Sequence, residues 1–191
     1  MEIKNILLIG VGGQGTILTS KILAKAIMEK GLDVKMSEIH GMSQRGGTVT
    51  TQIRYGKKVS SPVIEEGCAD IIVSFEKCEA LRCLSSLKKG GALIVNNYEL
   101  QPVTVAIGAA EYPKDIIAEY KNKVENTYVI DAFGIAESLG NAKCMNIALL
   151  GALAKRLGLD GTDWERLIRE EVPRKAEELN ISAFKRGFEM G

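Results

Sequence analysis

The feature that most constrains the fold is an apolar run that leads straight into a glycine turn near the start of the chain. Residues 6–9 read Ile-Leu-Leu-Ile, and residues 10–15 read Gly-Val-Gly-Gly-Gln-Gly. Gly10, Gly12 and Gly15 have the G-x-G-x-x-G spacing, which permits a sharp turn, close approach of a ligand to bare backbone and tight packing of a helix on a strand. The pattern predicts the first strand-loop-helix unit of a Rossmann-like fold.

This first glycine loop (residues 10–15) is also a candidate binding site, with Gly13 and Gln14 as its remaining polar and flexible members. A helix beginning near Gly13 would present free N–H groups and a partial positive charge in front of the loop. An anion or a polar group of a partner would fit there. The alternative is that the glycines serve only the turn and the packing, since fold and ligand are separate questions.

Strands and helices alternate along the rest of the chain. A helix at residues 13–30, with Ile17, Ile22, Ala26 and Ile27 facing inward, leads to a strand at 33–39 that a right-handed crossover makes parallel to the first. β-Branched residues at 48–55 and a turn at 56–58 predict a β-hairpin with residues 59–62. Further strands are predicted at 70–75, 92–95, 103–107 and 128–130, and helices at 76–88, 113–120, 144–157 and from 131, 162 and 173.

Length and composition favour one domain. The chain has 191 residues, of which 46% are hydrophobic, and no long linker or internal repeat. We therefore predict an α/β fold over residues 1–191: a single Rossmann-like three-layer domain with a mostly parallel sheet, an inserted β-hairpin and C-terminal helices. Two helix caps are expected as well, Asp131 (or else a rim residue) and Thr162, which forms a capping box with Glu165.

Charge and cysteine content exclude several classes of function. The 25 basic and 24 acidic residues give a net charge of +1, which argues against nucleic acid or an anionic membrane as partner. The first residues lack a secretory signal and no apolar run is long enough to span a bilayer, so we expect a cytoplasmic protein. Cys68, Cys78, Cys83 and Cys144 have no metal-ligand spacing, and no metal site is expected.

A second loop at residues 40–47 is the stronger candidate for function. Because parallel strands end at the same edge of a sheet, this loop should lie beside the first glycine loop, where ligands of open α/β sheets bind. Arg45 offers a planar charge for a carboxylate or phosphate. The other members offer polar contacts and flexible backbone: His40, Met42, Ser43, Gln44, Gly46 and Gly47. His40 as a scaffold residue and Arg45 as a loop brace are the alternatives, and no catalytic residue is identified.

These motifs together resemble a known family. The Gly-Val-Gly-Gly-Gln-Gly loop, the Ser-Glu-Ile-His-Gly-Met-Ser-Gln-Arg-Gly-Gly run at 37–47, the segment reaching Ser61-Pro62 and a tail with Asn180 and Ala183-Phe184 are similar to the gamma-type subunits or domains of 2-oxoacid:ferredoxin oxidoreductases. Within that family, the small subunits of the indolepyruvate-specific enzymes are the most similar. The resemblance spans essentially the whole chain.

The resemblance implies a role inside a larger complex. Such complexes oxidatively decarboxylate a 2-oxoacid, here an arylpyruvate, to an acyl-CoA and pass the electrons to ferredoxin. The large (alpha) subunit would carry thiamine diphosphate and the iron–sulfur clusters, so no cofactor is expected on this chain alone. Coenzyme A is expected to be shared between this chain and the large subunit. The two loops would dock on that subunit, and Arg45 and the N-terminus of the first helix would hold an anionic substrate or a coenzyme A phosphate.

Two other functions stay open at this stage. The chain would be a free-standing NAD(P)- or flavin-binding oxidoreductase if Gly10, Gly12, Gly15 and an acid at Glu38 hold a dinucleotide. It would be a purely structural subunit if the loops contact only the partner. Pyruvate and 2-oxoglutarate also remain possible substrates of the complex.

Overall fold

The computed structural model describes residues 2–41 and 47–191 of the chain. The described residues form one six-stranded mixed sheet with helices on both faces, an α/β fold as predicted. The strands are β1 Lys4–Val11, β2 Asp33–His40, β3 Thr48–Gly56, β4 Ala69–Ser74, β5 Leu87–Asn96 and β6 Asn126–Ile130. The α-helices are α1 Thr16–Glu29, α2 Lys77–Arg82, α3 Val103–Ala106, α4 Ile116–Lys123, α5 Ala132–Ser138, α6 Met145–Leu157, α7 Trp164–Glu171 and α8 Glu177–Met190.

An antiparallel strand separates β1 from β2 in the sheet. The sheet runs β2-β3-β1-β4-β5-β6, with β1, β4, β5 and β6 parallel. β3 is antiparallel to both β1 and β2, so β2 does run parallel to β1 as predicted, but β3 lies between them. The crossover through α1 therefore spans one extra strand.

The predicted hairpin does not form, although its first strand does. We expected residues 48–55 to pair with residues 59–62, yet residues 59–62 form no strand. A hairpin instead joins β2 to β3, closed by a hydrogen bond from the Gly41 N–H to the Thr48 carbonyl of 2.8 Å. The β-branched run predicted the strand correctly, whereas its partner is set by pairing across the sheet, which local sequence does not encode.

Alternating side chains of β1 divide the core into two layers. Ile6 and Leu8 point into the larger cluster, with α1, α5, α6, α7 and α8, while Leu7 and Ile9 point into the smaller cluster, with α2 and α4. A strand buried on both faces explains why β1 is a continuous apolar run rather than an alternating one. The three-layer prediction is confirmed.

Several local expectations were wrong. Helix α1 begins at Thr16 rather than near Gly13, and Ile17 faces outward with 44% of its surface exposed. Residues 103–106 form a helix and not the predicted strand. The prediction failed because a short apolar run with β-branched residues is compatible with either state. The predicted helix 76–88 is the short α2 and a 3₁₀ turn at Leu84–Ser86, after which β5 begins at Leu87. Asp163, not Thr162, caps α7, by accepting from the Arg166 N–H.

Helices α6 and α8 pack with their backbones in direct contact. A Cβ at Gly151 would overlap the Phe184 carbonyl oxygen, and a Cβ at Gly187 would overlap the Ala148 carbonyl oxygen. Both neighbours are backbone atoms, which cannot turn aside as the end of a side chain can. The two glycines therefore set the distance between these buried helices.

Gly187→Ala is expected to lower the free energy of unfolding by about 1–3 kcal/mol, because the added methyl group overpacks this contact. In a solvated helix the same change is stabilising by up to about 1 kcal/mol, so the sign itself reports the contact. Urea denaturation measures the effect. Glu189→Ala, an exposed change on the same helix, serves as the control and should shift stability by about 0.5 kcal/mol or less. Equal behaviour of both variants would contradict the close packing.

Candidate functional site

The first glycine loop takes a conformation that requires glycine at two positions. Gly13 and Gly15 have φ values of 95° and 82°, in the left-handed region that other residues rarely adopt. Gly15 precedes the first turn of α1, and no side chain among the described residues caps that end of the helix. The free N–H groups of the first turn therefore face the space in front of the loop, as predicted, although the helix begins three residues later than expected.

Two glycines of the loop also make room for neighbouring side chains. A Cβ at Gly10 would lie 2.7 Å from Gln14 Oε1 and 2.9 Å from Phe75 Cβ. A Cβ at Gly15 would overlap the Asn146 amide, which donates to the Gly15 carbonyl over 3.2 Å. The packing role that the sequence left as an alternative is therefore real for these two positions. Gly13, by contrast, has open space where its side chain would be.

A pair of side-chain amides joins the ends of the central strands. Gln14 accepts from the Val11 N–H through Oε1 at 2.7 Å and donates to the Phe75 carbonyl at 3.4 Å. The same carbonyl accepts from Asn96 Nδ2 at 3.1 Å, and Asn96 Oδ1 accepts from the Ala132 N–H at 3.1 Å. Asn96 is fully buried. These bonds tie together the carboxyl ends of β1, β4, β5 and β6.

An open cleft lies directly above this amide pair. It has a volume of about 550 Å³, within the usual range of ligand sites. The chain after β1 leads to α1 on one face of the sheet, and the chain after β4 leads to α2 on the other, so β1 and β4 border the topological switch point. Open α/β sheets bind ligands beside the carboxyl ends of their strands at such a point. The cleft is therefore the strongest candidate site of the described residues.

The lining of the cleft combines aromatic, polar and cationic groups. Tyr98, which follows β5, stacks on Phe133, which follows β6, with ring centroids 4.6 Å apart. Lys143 contributes an exposed positive charge near the start of α6. The rest of the lining consists of residues 12–15 of the glycine loop and Leu18, Leu100, Ala142, Met145 and Asn146. Aromatic rings, a cation and free helix N–H groups suit an anionic ligand with a flat group.

A buried carboxylate holds one end of this region. Glu76 follows β4 and is 1% exposed, and it caps α2 by accepting from the Glu79 N–H at 3.0 Å. Its other oxygen accepts from the Leu100 N–H at 3.2 Å and from the Tyr112 hydroxyl at 2.6 Å. Burial, and then the hydrogen bond to Glu76, raise the pKa of Tyr112 well above its usual value. Tyr112 thus stays a neutral donor and keeps the segment after β5 in place.

The structure brings part of the second loop to the first. The Gly12 N–H donates to the Gly47 carbonyl at 3.0 Å, which confirms that the two loops share one edge of the sheet. His40 is largely exposed at the end of β2, 3.2 Å from Glu38, and does not line the cleft. The predicted site residues Met42, Ser43, Gln44, Arg45 and Gly46 lie outside the described residues.

The dinucleotide hypothesis meets an obstacle in the strand order. In a Rossmann fold the acid that binds ribose stands at the end of the strand next to β1. Here β3 occupies that place, which moves Glu38 one further strand, about 4.8 Å, away from the glycine loop. The Glu38 carboxylate also already faces His40. The described residues therefore fit a dinucleotide poorly.

The cysteines do not form a metal site. All four thiols are free, and Cys144 lies in the larger core cluster while Cys78 and Cys83 pack against the smaller one. Burial raises the pKa of the Cys78, Cys83 and Cys144 thiols, the opposite of what a ligand needs. Within residues 2–41 and 47–191, no three His, Cys, Asp or Glu side chains are grouped as a metal site would require. Nor does any helix in those ranges have the length and apolar character to cross a membrane.

Comparison with known proteins identifies the family. The model of the family described as "Pyruvate ferredoxin/flavodoxin oxidoreductase" matches residues 5–190. The chain belongs to this family. It is 39% identical to the indolepyruvate oxidoreductase subunit IorB of Pyrococcus horikoshii, over 98% of this chain and 95% of that protein. The resemblance inferred from the two loops is therefore confirmed.

Solved structures of the ferredoxin oxidoreductases have the same fold. The gamma subunit of a keto/oxoacid ferredoxin oxidoreductase from Geobacter sulfurreducens PCA superimposes with a TM-score of 0.72 at 24% identity, covering 98% of this chain and 97% of that one. The 2-oxoglutarate:ferredoxin oxidoreductase of Magnetococcus marinus, solved with 2-oxoglutarate, coenzyme A and succinyl-CoA bound, gives 0.76 at 18% identity. This chain is covered completely and matches 31% of that longer chain.

Sequence reasoning found the glycine loop but missed most of the cleft. Tyr98, Phe133, Lys143 and Asn146 come from segments that were predicted only as strand ends and helix starts. One usable signal was present: the first two follow β5 and β6, and the carboxyl ends of parallel strands meet at one edge. Lys143 and Asn146 had no comparable signal, because α6 reaches the loop only through tertiary packing.

Asn96→Ala is expected to lower the free energy of unfolding by about 2–4 kcal/mol. The change leaves the Ala132 N–H without its acceptor in a buried environment and removes one donor from the Phe75 carbonyl. Urea denaturation followed by circular dichroism measures it. Asn97→Ala, the exposed neighbour, is the control and should cost about 0.5 kcal/mol or less. Equal stabilities would show that the amide pair does not hold the strand ends.

Proposed function

We propose that this chain is the small subunit of a cytoplasmic indolepyruvate:ferredoxin oxidoreductase. Its partner would be a large subunit that carries thiamine diphosphate and the iron–sulfur clusters. Thiamine diphosphate would supply the chemistry that cleaves the bond to the substrate carboxylate. The complex would convert one arylpyruvate and one coenzyme A to an acyl-CoA and carbon dioxide. Two ferredoxins would each take one electron, and one proton would be released, so that atoms and charge balance.

The observation that carries the proposal is the similarity to an indolepyruvate oxidoreductase subunit along nearly the full length of both chains. The identity of 39% exceeds the 30% found with a 2-oxoglutarate synthase subunit of Methanothermobacter thermautotrophicus and the 27% found with the common gamma subunit of the pyruvate/ketoisovalerate oxidoreductases of Thermococcus kodakarensis. Indolepyruvate is therefore preferred over pyruvate and 2-oxoglutarate. The dispersed cysteines, of which only Cys144 is buried, agree with placing the clusters on another subunit.

The cleft supports a role in holding coenzyme A at the interface with the large subunit. Coenzyme A combines phosphates with a flat adenine, and the cleft offers Lys143, the free N–H groups of α1 and the stacked rings of Tyr98 and Phe133. Arg45, from the loop anchored beside Gly12 through Gly47, would add a second cation. The residues proposed for the interface are otherwise those of the two loops, residues 10–15 and 40–47.

The test begins with the complex itself. The chain is co-expressed with the large subunit encoded in the same organism, and the complex is assayed for coenzyme A-dependent reduction of a viologen dye. Indolepyruvate and phenylpyruvate should give higher kcat/KM than pyruvate and 2-oxoglutarate. Faster turnover of pyruvate would overturn the substrate assignment. A chain that stays solitary and binds NAD or flavin would overturn the subunit assignment.

Arg45→Ala and Lys143→Gln, each made in the assembled complex, test the coenzyme A site. We expect KM for coenzyme A to rise about tenfold for Arg45, because its fork makes paired contacts with phosphate. A rise of about fivefold is expected for Lys143, since a partly exposed charge contributes about 1 kcal/mol. The kcat should stay within about twofold, because both side chains are proposed to hold the phosphates of coenzyme A and not its reacting thiol.

Lys175→Gln is the matched control, because Lys175 is an exposed lysine that does not line the cleft. It should leave KM unchanged, and gel filtration should show the same assembly for every variant. An unchanged KM in both Arg45→Ala and Lys143→Gln would show that the two loops serve as a docking surface only.

A further inference from the structure

A second cavity lies at the opposite edge of the sheet, where the parallel strands begin. It encloses about 310 Å³ between the sheet and the end of helix α6. Its apolar floor is one cross-strand row, in which Ile6 of β1 pairs with Ile71 of β4, and Ile71 pairs with Ala92 of β5. Leu157 of α6 covers this row. The cavity shares no lining residue with the cleft above the glycine loop.

An irregularity of strand β5 creates one wall of this cavity. Ala69 pairs with Leu87, and Ile71 pairs with Ala92. An advance of two residues along β4 therefore corresponds to an advance of five residues along β5. The extra segment, residues 88–91, bends outward with Gly90 at a φ of 78°. A Cβ at Gly91 would lie only 2.9 Å from the Lys88 carbonyl oxygen and 3.0 Å from that of Asp70. Bulges of this kind commonly aim side chains at a site.

Tyr55 is one of the polar residues that line the cavity. Tyr55 is 2% exposed, yet no residue in the described parts of the chain bonds to its hydroxyl. Burial, followed by the charge of Asp70, raises the pKa of Tyr55 to about 12. The phenol is therefore a proton donor at every physiological pH. A ligand in the cavity can therefore accept a hydrogen bond from this hydroxyl.

The charged lining is predominantly positive. The lining contains three cationic side chains, those of Lys4, Lys88 and Arg156, and one carboxylate, that of Asp70. Asp70 Oδ1 is 2.9 Å from the Lys88 ammonium and 3.9 Å from that of Lys4, and its Oδ2 accepts from the Asn5 N–H, so its oxygens are already engaged. Arg156 forms no ion pair with any acidic side chain in the described ranges and instead lies 3.5 Å from the centroid of the Tyr128 ring. Its charge remains available to an anion.

We propose that this cavity binds a small organic anion. The carboxylate or phosphate head would accept from the Tyr55 hydroxyl and pair with Arg156, and the apolar body would rest on Ile71 and Ala92, which are only partly buried. A volume of about 310 Å³ admits a molecule of roughly one aromatic ring with its head group. The cavity stands apart from the cleft assigned to coenzyme A, so a ligand here would act as an effector or second ligand of the subunit.

Benzoate is the probe for this proposal, titrated into the full chain while backbone amide shifts are recorded by NMR. Saturable shifts are expected at Ile71, Ala92 and Leu157. Benzamide, which has the same shape without the charge, should bind at least about tenfold more weakly because charged hydrogen bonds are the stronger ones. Inorganic phosphate, which lacks the apolar body, should also bind more weakly. Equal binding of benzoate and either comparison compound would overturn the proposal.

Two variants locate the site. Arg156→Gln should raise the benzoate Kd about tenfold, and Tyr55→Phe about threefold to tenfold. Tyr55→Phe should leave Tm unchanged or raised, because no described residue bonds to the lost hydroxyl, so weaker binding would not reflect unfolding. Arg174→Gln removes an equal charge at an exposed position outside the cavity and should leave Kd unchanged. Unchanged affinity in both Arg156→Gln and Tyr55→Phe would also overturn the proposal.

Discussion

The carbonyl of Phe75, shared by the side-chain amides of Gln14 and Asn96, is the contact on which the upper edge of the sheet depends. Buried amides are stable only when their donors and acceptors are satisfied, and here each satisfies a neighbour on a different strand. Gln14 thereby ties the glycine loop to β4, and Asn96 ties β5 to the start of α5. Gln14 also lines the cleft, so the network holds one of its walls in place.

The antiparallel strand β3 is what distinguishes this sheet from a dinucleotide-binding one. It occupies the place beside β1 and carries the second loop to the first, as the bond between Gly12 and Gly47 shows. The same insertion moves Glu38 away from the glycine loop. One change of strand order thus moves the acid that would bind a ribose away from the glycine loop and brings a second loop there. This arrangement suits the coenzyme A site that we propose at the interface with a partner.

Some expectations drawn from local signals were accurate, whereas most of the errors in the sheet concerned long-range pairing. Asp131 caps α5 through the Gly134 N–H at 2.9 Å, and α6 is apolar and buried along ten of its residues, as its composition predicted. The partner of β3, the bulge at residues 88–91 and the helical state of residues 103–106 were missed. Each of these depends on which segment lies alongside, and a window of sequence holds no record of that.

The sequence by itself determined the fold class, the position of the glycine turn and the family, because strand and helix periods, turn glycines and the two loop motifs are all local patterns. The tertiary structure alone decided where β3 lies, which residues line the cleft and that Tyr55 and Arg156 border a second cavity at the start of the parallel strands. The physical reason is that strand order and cavities arise from contacts between segments far apart in the chain. No single segment carries that information.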